Sequence, residues 1–236
     1  MQSGYVMQLN PTEIAVWSGN IFVDEETVNQ CWMLLNAEEQ KKAAHLQNNR
    51  RKQFIVVRGR LRCLLAEYTH EDPATIIFSK NRYGKPFLQN NEDLVFNISH
   101  SADKLLIAVA VQCQMGVDIE IWKPRGDLMP LVDRCFALSE KKYWSGLPFS
   151  TRTAAFYSIW TRKEAFVKAV GRGIALGLQH CVTAPQAPGN FVAVPEQYKP
   201  ATAWKIFNIN AGDQTSAALV VRSCEQEITL YTRNLI

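Results

Sequence analysis

Four side chains in two short stretches have the types and spacing for chemistry at a phosphate. In Gly116-Val117-Asp118-Ile119-Glu120, alternation puts Asp118 and Glu120 on one side of an extended segment and Val117, Ile119 and Ile121 on the other. Side chains two apart on a strand share a face and lie about 6.5 to 7 Å apart along the chain, so both carboxylates can converge on one hard cation. Farther along, Trp160, Glu164 and Lys168 recur every fourth residue and therefore share a helix face. Magnesium takes a few protein carboxylates and completes its octahedron with water and phosphate oxygens, while a nearby ammonium offsets charge on a bridging or leaving oxygen. Each stretch also has a plainer reading. Acids alternating with aliphatics describe an ordinary half-buried strand with a wet face. Glu164 before Lys168 is also the favourable helix ion pair, worth ~0.3 to 0.5 kcal/mol in water.

The elements that must position these groups can be read from the remaining pattern. Glu13 to Trp17 reads as a first strand, Asp24 caps a helix carrying Val28, Cys31, Trp32 and Leu35, and Asn36 with Glu39 starts a second helix. From Arg50 to Glu67, Phe54, Val57, Leu61, Leu64 and Leu65 make an apolar stripe, with Arg51, Arg58 and Arg62 on a different face. Thr75 to Ser79 is a short β-branched run, and Asn81 to Pro86 is a turn in which Gly84 can take a positive φ. Leu94 to Ile98, Leu105 to Val111 and Val117 to Ile121 are three closely spaced strands, expected to form an antiparallel meander. Pro124 and Gly126 are expected to close that sheet. Helices follow from Ser139 and from Thr151 to Val170, then strands at Trp204 to Ile209, Ser216 to Val221 and Glu227 to Tyr231. The expected class is α+β, with mainly antiparallel sheets and packed helices. The layout runs twice, helical segments before a strand group, with a boundary between residues 110 and 127.

Composition narrows the function classes. The chain of 236 residues, 47% hydrophobic and 20% charged, can bury a proper core as one large or two modest domains. Gln2, Ser3, Gln8 and Asn10 interrupt any apolar leader, and no apolar run approaches the ~20 residues of a membrane span. A cytoplasmic protein is expected. The six cysteines include no C-x-x-C pair and the four histidines no H-E-x-x-H, so buried free thiols are expected rather than zinc or disulfides. A net charge of +4 suits acidic partners. Gly171-Arg172-Gly173 lacks the G-K-[ST] of a phosphate loop and follows a helix, so it reads as a helix terminus and turn. A nucleic-acid module could use Arg50, Arg51, Lys52, Arg58, Arg60 and Arg62, but it leaves Asp118, Glu120 and Glu164 unexplained. Metal-dependent hydrolysis of a nucleotide pyrophosphate needs the same cation site with water as acceptor.

Four ordered segments resemble the larger, surfactin-synthetase-activating type of 4′-phosphopantetheinyl transferase. Tyr83-Gly84-Lys85-Pro86 is similar to the family's G-K-P, Phe96 to Ser101 to its F-N-x-S-H-S, Gly116 to Glu120 to G-[IV]-D-[IVL]-E, and Trp160 to Lys168 to W-[ST]-x-K-E-[AS]-[FL]-x-K. The resemblance implies transfer of the phosphopantetheine arm of coenzyme A to a serine of an apo acyl or peptidyl carrier protein, releasing 3′,5′-ADP. It implies a monomer of two similar halves in a pseudo-twofold duplicated fold. Residues 1–112 would hold the coenzyme A nucleotide, and 113–236 the metal site and catalytic helix. Asp118, Glu120 and Glu164 would be magnesium ligands, with Glu164 or a metal-bound water taking the serine proton. Lys168 would contact the pyrophosphate, Lys163 would orient the site, Ser99 and His100 would contact phosphate, and Lys85 would face the adenine. Arg51, then Arg58, would hold the 3′-phosphate. Arg134-Cys135-Phe136 resembles the family's R-F-F, with Cys135 in place of an aromatic, on a surface that would help dock the carrier. Nucleic acid and membrane partners are not expected.

Overall fold

The computed structural model describes residues 7–123, 127–187, 189–223 and 227–235. Pro124 and Gly126 lie outside the described residues. Strand β1 (Glu13–Asn20) leads into three helices, α1 (Glu25–Met33), α2 (Ala37–Ala44) and α3 (Asn48–Thr69). Their starts follow from side chains that satisfy otherwise orphaned amides. Asp24 accepts from Thr27 N at 2.8 Å, and Asn36 and Glu39 exchange bonds as a capping box. A hairpin of β2 (Phe78–Lys80) and β3 (Pro86–Leu88) precedes β4 (Leu94–Ser101), β5 (Lys104–Val111) and β6 (Met115–Ile121). Then come α4 (Met129–Cys135), α5 (Leu138–Gly146) and α6 (Phe149–Val170). The remaining strands are β7 (Val182–Thr183), β8 (Phe191–Ala193), β9 (Trp204–Asn208), β10 (Thr215–Arg222) and β11 (Thr229–Asn234).

The class is α+β, with two main sheets ordered β11-β1-β5-β4 and β6-β10-β9. The expected meander stops after two strands. β4 and β5 pair antiparallel, but β6 pairs with β10 instead. The reason is occupancy: β1 already takes the other edge of β5, from Ile14↔Ala110 to Asn20↔Lys104, so a third neighbour has nowhere to bond. β11 adds to the first sheet parallel to β1, tying the end of the chain to its beginning. α4 was not foreseen in the sequence pattern.

The layers run helix, sheet, sheet, helix. α1 and α3 cover the outer face of the first sheet through Val28, Ile55, Leu61, Leu65, Trp17 and Ile107. The inner faces meet in a shared core in which Ile14, Val16, Leu106 and Ala108 face Val117, Ile119 and Leu219. α6 covers the outer face of the second sheet through Ala165, Phe166 and Ala169 against Trp204, Ala218 and Val220. α3 and α6 each run 22 residues, so each sheet carries one long helix, consistent with a duplicated layout. Among the described cysteines, Cys31, Cys135 and Cys181 are buried, whereas Cys63 is exposed. No helix among the described residues is long and apolar enough to cross a membrane.

Candidate active site

β6 and α6 come together because one residue of β6 has no side chain. A Cβ on Gly116 would stand 2.2 Å from Ala165 O and 2.3 Å from Ala169 N, so α6 rests directly on the strand's backbone there. That approach hangs Glu164 and Lys168 over the acidic face of β6, while Val117 and Ile119 anchor the opposite face in the shared core. Asp118, 4% exposed, accepts from Lys168 Nζ at 2.7 Å and Ser99 Oγ at 2.9 Å through Oδ1. Glu120 Oε2 accepts from Ser101 Oγ at 2.9 Å. Lys168 Nζ also donates to Ser99 Oγ at 2.7 Å.

The electrostatics of this group are those of a site short of positive charge. Burial raises the pKa of Asp118 against the pull of Lys168 and Ser99, and burial likewise raises Glu120. Burial, then the charge of Asp118, with a smaller push from Glu120, lifts Glu164 to about 7 despite Lys168. Asp118 Oδ2 and Glu164 Oε1 are buried without a hydrogen-bond partner.

A cavity of about 310 Å³ opens beside Glu164 and Lys168, which line it with Tyr83 to Pro86, Asn97, Ile98, Val167, Gly171 and Gly173. Its roof is the turn Asn81 to Pro86, docked on the end of α6 by Asn81 Nδ2, which donates to Gly171 O at 3.2 Å. Lys85 lines the cavity, but its ammonium is engaged, donating to Met115 O at 3.0 Å and Ala169 O at 2.9 Å, and burial lowers its pKa to about 8. A second cavity of about 420 Å³ shares Ile98 with the first and is lined by Lys42, Arg50, Gln53, Phe54, Val57, Arg58, Leu61 and His100. Burial, and then Lys168, lowers the pKa of His100.

The arginine stripe of α3 divides. Arg62 is fully buried and fixed by Glu39 Oε2 at 2.8 Å and the carbonyls of Pro73 and Ile76. Arg58 pairs with Glu39 Oε1 at 2.9 Å and keeps a buried, unpartnered Nη1 beside the second cavity. Arg51 is not brought to either cavity. Its guanidinium lies 5.3 Å from the Trp32 ring centre, in a separate depression with Glu25 and Lys52. Lys163 is fully buried, 2.6 Å from Glu140 Oε2 and donating to Leu178 O at 2.9 Å. Glu140 in turn holds Thr183 N and Oγ1 at 2.8 Å, so Lys163 ties α6 to α5 and β7 one residue from Glu164. Cys135 and Phe136 are buried in the core under α4 and offer no face to a partner, leaving Arg134 as the exposed member of that segment. Asn97, Ser101, Lys42 and Glu140 have no individual role in the sequence reading, and Arg50 enters it only as part of a nucleic-acid footprint. A period-two polar face at 97, 99 and 101, matching that at 118 and 120, was the available signal for the first two.

Residues 114–220 match the family model described as the 4′-phosphopantetheinyl transferase superfamily. The chain is 30% identical over 214 residues to the 4′-phosphopantetheinyl transferase HetI of Nostoc sp., covering 89% of this chain and 87% of that one. The chain belongs to the 4′-phosphopantetheinyl transferase superfamily. A provisionally named 4′-phosphopantetheinyl transferase of Synechocystis sp. is 36% identical over 152 residues, 63% of this chain and 62% of its own length. The 4′-phosphopantetheinyl transferase Sfp of Bacillus subtilis is 27% identical over 173 residues, 73% of this chain and 75% of its own.

For a phosphopantetheinyl transferase the question is whether these residues fit magnesium. Among the described residues, no three His, Cys, Asp or Glu side chains form a ready-made metal cage. Asp118 and Glu164 nevertheless each present a buried oxygen with no partner, and the three carboxylates are hard oxygen donors whose charge Lys168, with Lys123 at Glu120, only partly offsets. The donor set fits a hard divalent cation.

Proposed function

We propose that the chain moves the 4′-phosphopantetheine arm of coenzyme A to a serine hydroxyl of an apo acyl or peptidyl carrier protein, releasing 3′,5′-ADP, as a magnesium-dependent cytoplasmic monomer. The observation that carries this reading is the convergence of Asp118, Glu120, Glu164 and Lys168, the last two lining a cavity together with the Tyr83 to Pro86 turn. Asp118, Glu120 and Glu164 would hold magnesium, which when bound offsets the pyrophosphate charge. Lys168 sits where it can meet a pyrophosphate oxygen. The serine oxygen attacks the phosphorus bearing the arm, the bond from that phosphorus to the 3′,5′-ADP oxygen breaks, and the serine proton passes to Glu164 or to water. Residues 1–112 then supply most nucleotide contacts and 113–236 the metal site and catalytic helix. Incubation with coenzyme A, magnesium and a panel of apo carriers tests the proposal by mass spectrometry. A gain of one arm is expected; no gain on any carrier, or a gain that survives chelation, would falsify it.

For the 3′-phosphate the second cavity offers more basic side chains than the surroundings of Arg51, because Lys42, Arg50, Arg58 and His100 line it and it shares the wall residue Ile98 with the first cavity. His100→Ala is expected to raise KM for coenzyme A about tenfold, a loss of ~1.4 kcal/mol, with little change for the 3′-dephosphorylated compound. Arg51→Ala should leave both within twofold. The reverse pattern in steady-state kinetics would return the phosphate to Arg51.

The raised pKa of Glu164 has a measurable consequence. Its folded value of about 7 lies above the ordinary 4.5, so the cation-free fold binds the extra proton between those values. Stability from this group is therefore full below about 4.5 and lost as pH rises through about 7. A cation bound by the ionised carboxylate removes that cost. Magnesium should thus raise the melting temperature more at pH 8 than at pH 5.5 in scanning fluorimetry, and equal shifts would exclude Glu164 as a ligand.

A further inference from the structure

β4 and β6 face each other as edges of different sheets, and the contact between them is made by side chains. Among the described residues β6 has β10 as its one strand neighbour within its sheet, so the amides of alternate residues point away from that partner. Three of them are received from β4: Val117 N donates to Asn97 Oδ1 at 2.8 Å, Ile119 N to Ser99 Oγ at 3.2 Å and Ile121 N to Ser101 Oγ at 3.2 Å. The offset is twenty residues each time, the register of a parallel strand pair. A side chain interposed between two backbones holds the strands farther apart than the ~4.8 Å of a direct ladder. A hydroxyl can also accept and donate at once. Both serines do so in the same way, since Ser99 donates to Asp118 Oδ1 and Ser101 to Glu120 Oε2, each at 2.9 Å.

We propose that Asn97, Ser99 and Ser101 are positioning residues, a side-chain ladder that joins the two sheets and fixes one oxygen of each carboxylate of β6 so that the other is free for a divalent cation. The inference rests on the metal-site reading above and extends it to residues that would act through the carboxylates they hold. It also changes the expected role of Ser99. Its one donor is spent on Asp118, and its acceptor positions are taken by Ile119 N and Lys168 Nζ, so no donor remains for a phosphate of coenzyme A.

Ser101 gives the cleaner test, because Ser99 also touches Lys168. Manganese affinity of the full chain is measured by electron paramagnetic resonance for the wild type and for Ser101→Ala, Ser101→Thr, Ser101→Cys and Asp118→Ala, with circular dichroism to confirm folding. Loss of an outer-shell partner costs about 10- to 100-fold in metal affinity. Ser101→Ala should therefore bind manganese about tenfold more weakly, and the magnesium half-saturation of transfer should rise in step, with KM for coenzyme A within twofold. Ser101→Thr, which keeps the hydroxyl, should recover to within about threefold. If the alanine variant fails to fold, Ser101→Cys preserves the volume with a weaker donor and is expected to show the same loss. Unchanged manganese affinity in a folded alanine or cysteine variant overturns the ladder, as does a threonine variant no better than alanine. A change in KM for coenzyme A without a change in metal affinity overturns it in favour of direct phosphate contact. Normal manganese binding by Asp118→Ala overturns the metal-site reading itself, and the ladder's role with it.

Discussion

Asp118→Asn is expected to lower kcat/KM for arm transfer about 10³-fold, ~4 kcal/mol of transition-state stabilisation, while the protein stays folded. The amide has nearly the carboxylate's shape, and its oxygen can still accept from Ser99, so the contact between β4 and β6 is kept. What disappears is the charge that faces Lys168 at 2.7 Å and that would hold the cation. Burial already disfavours that charge in the cation-free protein, so its removal should not cost global stability. A melting temperature within a few degrees of wild type, together with the kinetic loss, is the expected pair of results. Normal turnover would take Asp118 out of the machinery, and an unfolded variant would give it a structural role instead.

Gly116→Ala carries the second large effect, and it acts through backbone. The added methyl would meet Ala165 O at 2.2 Å, Ala169 N at 2.3 Å and Lys168 C at 2.8 Å, none of which belongs to a side chain that can swing away. Either α6 moves off β6 or the strand bends. Overpacking of this kind costs about 1 to 3 kcal/mol, and the rigid neighbours here put the expectation at about 3 kcal/mol, read from chemical denaturation. Displacing α6 by even ~1 Å also carries Glu164 and Lys168 away from Asp118, a misplacement that costs about 10²-fold in rate. A variant of wild-type stability and activity would mean that α6 does not rest on Gly116.

What could be read from the sequence was local. Alternation through Gly116 to Glu120 gave the strand, its acidic face and its buried face, and Val117 and Ile119 are where that pattern puts them. The caps at Asp24 and Asn36 were equally legible, since a cap is decided by three or four neighbouring residues. What was not legible depends on partners far along the chain. Spacing puts Arg51, Arg58 and Arg62 on one side of α3, but it cannot say that Glu39 from another helix claims two of them and the Trp32 ring the third. Three strands with short links suggested a meander, yet whether the third could join depended on β1, ninety residues earlier, having filled the edge of β5. The F-N-x-S-H-S segment pointed to the right neighbourhood, but a serine hydroxyl reveals its partner only once the facing strand is known. The candidate site as a whole comes from four separate stretches, the Tyr83 to Pro86 turn, β4, β6 and α6. Its residues were legible one by one, and their distances were set by packing.

The most direct measurement is a crystal structure with coenzyme A and manganese, using anomalous scattering to locate the ion. One anomalous peak is predicted at roughly 2.0 to 2.3 Å from oxygens of Asp118, Glu120 and Glu164. The pyrophosphate should lie beside Lys168 and the 3′-phosphate in the cavity lined by Lys42, Arg58 and His100. A peak away from β6, or a 3′-phosphate seated beside Arg51 and Trp32, would contradict the account.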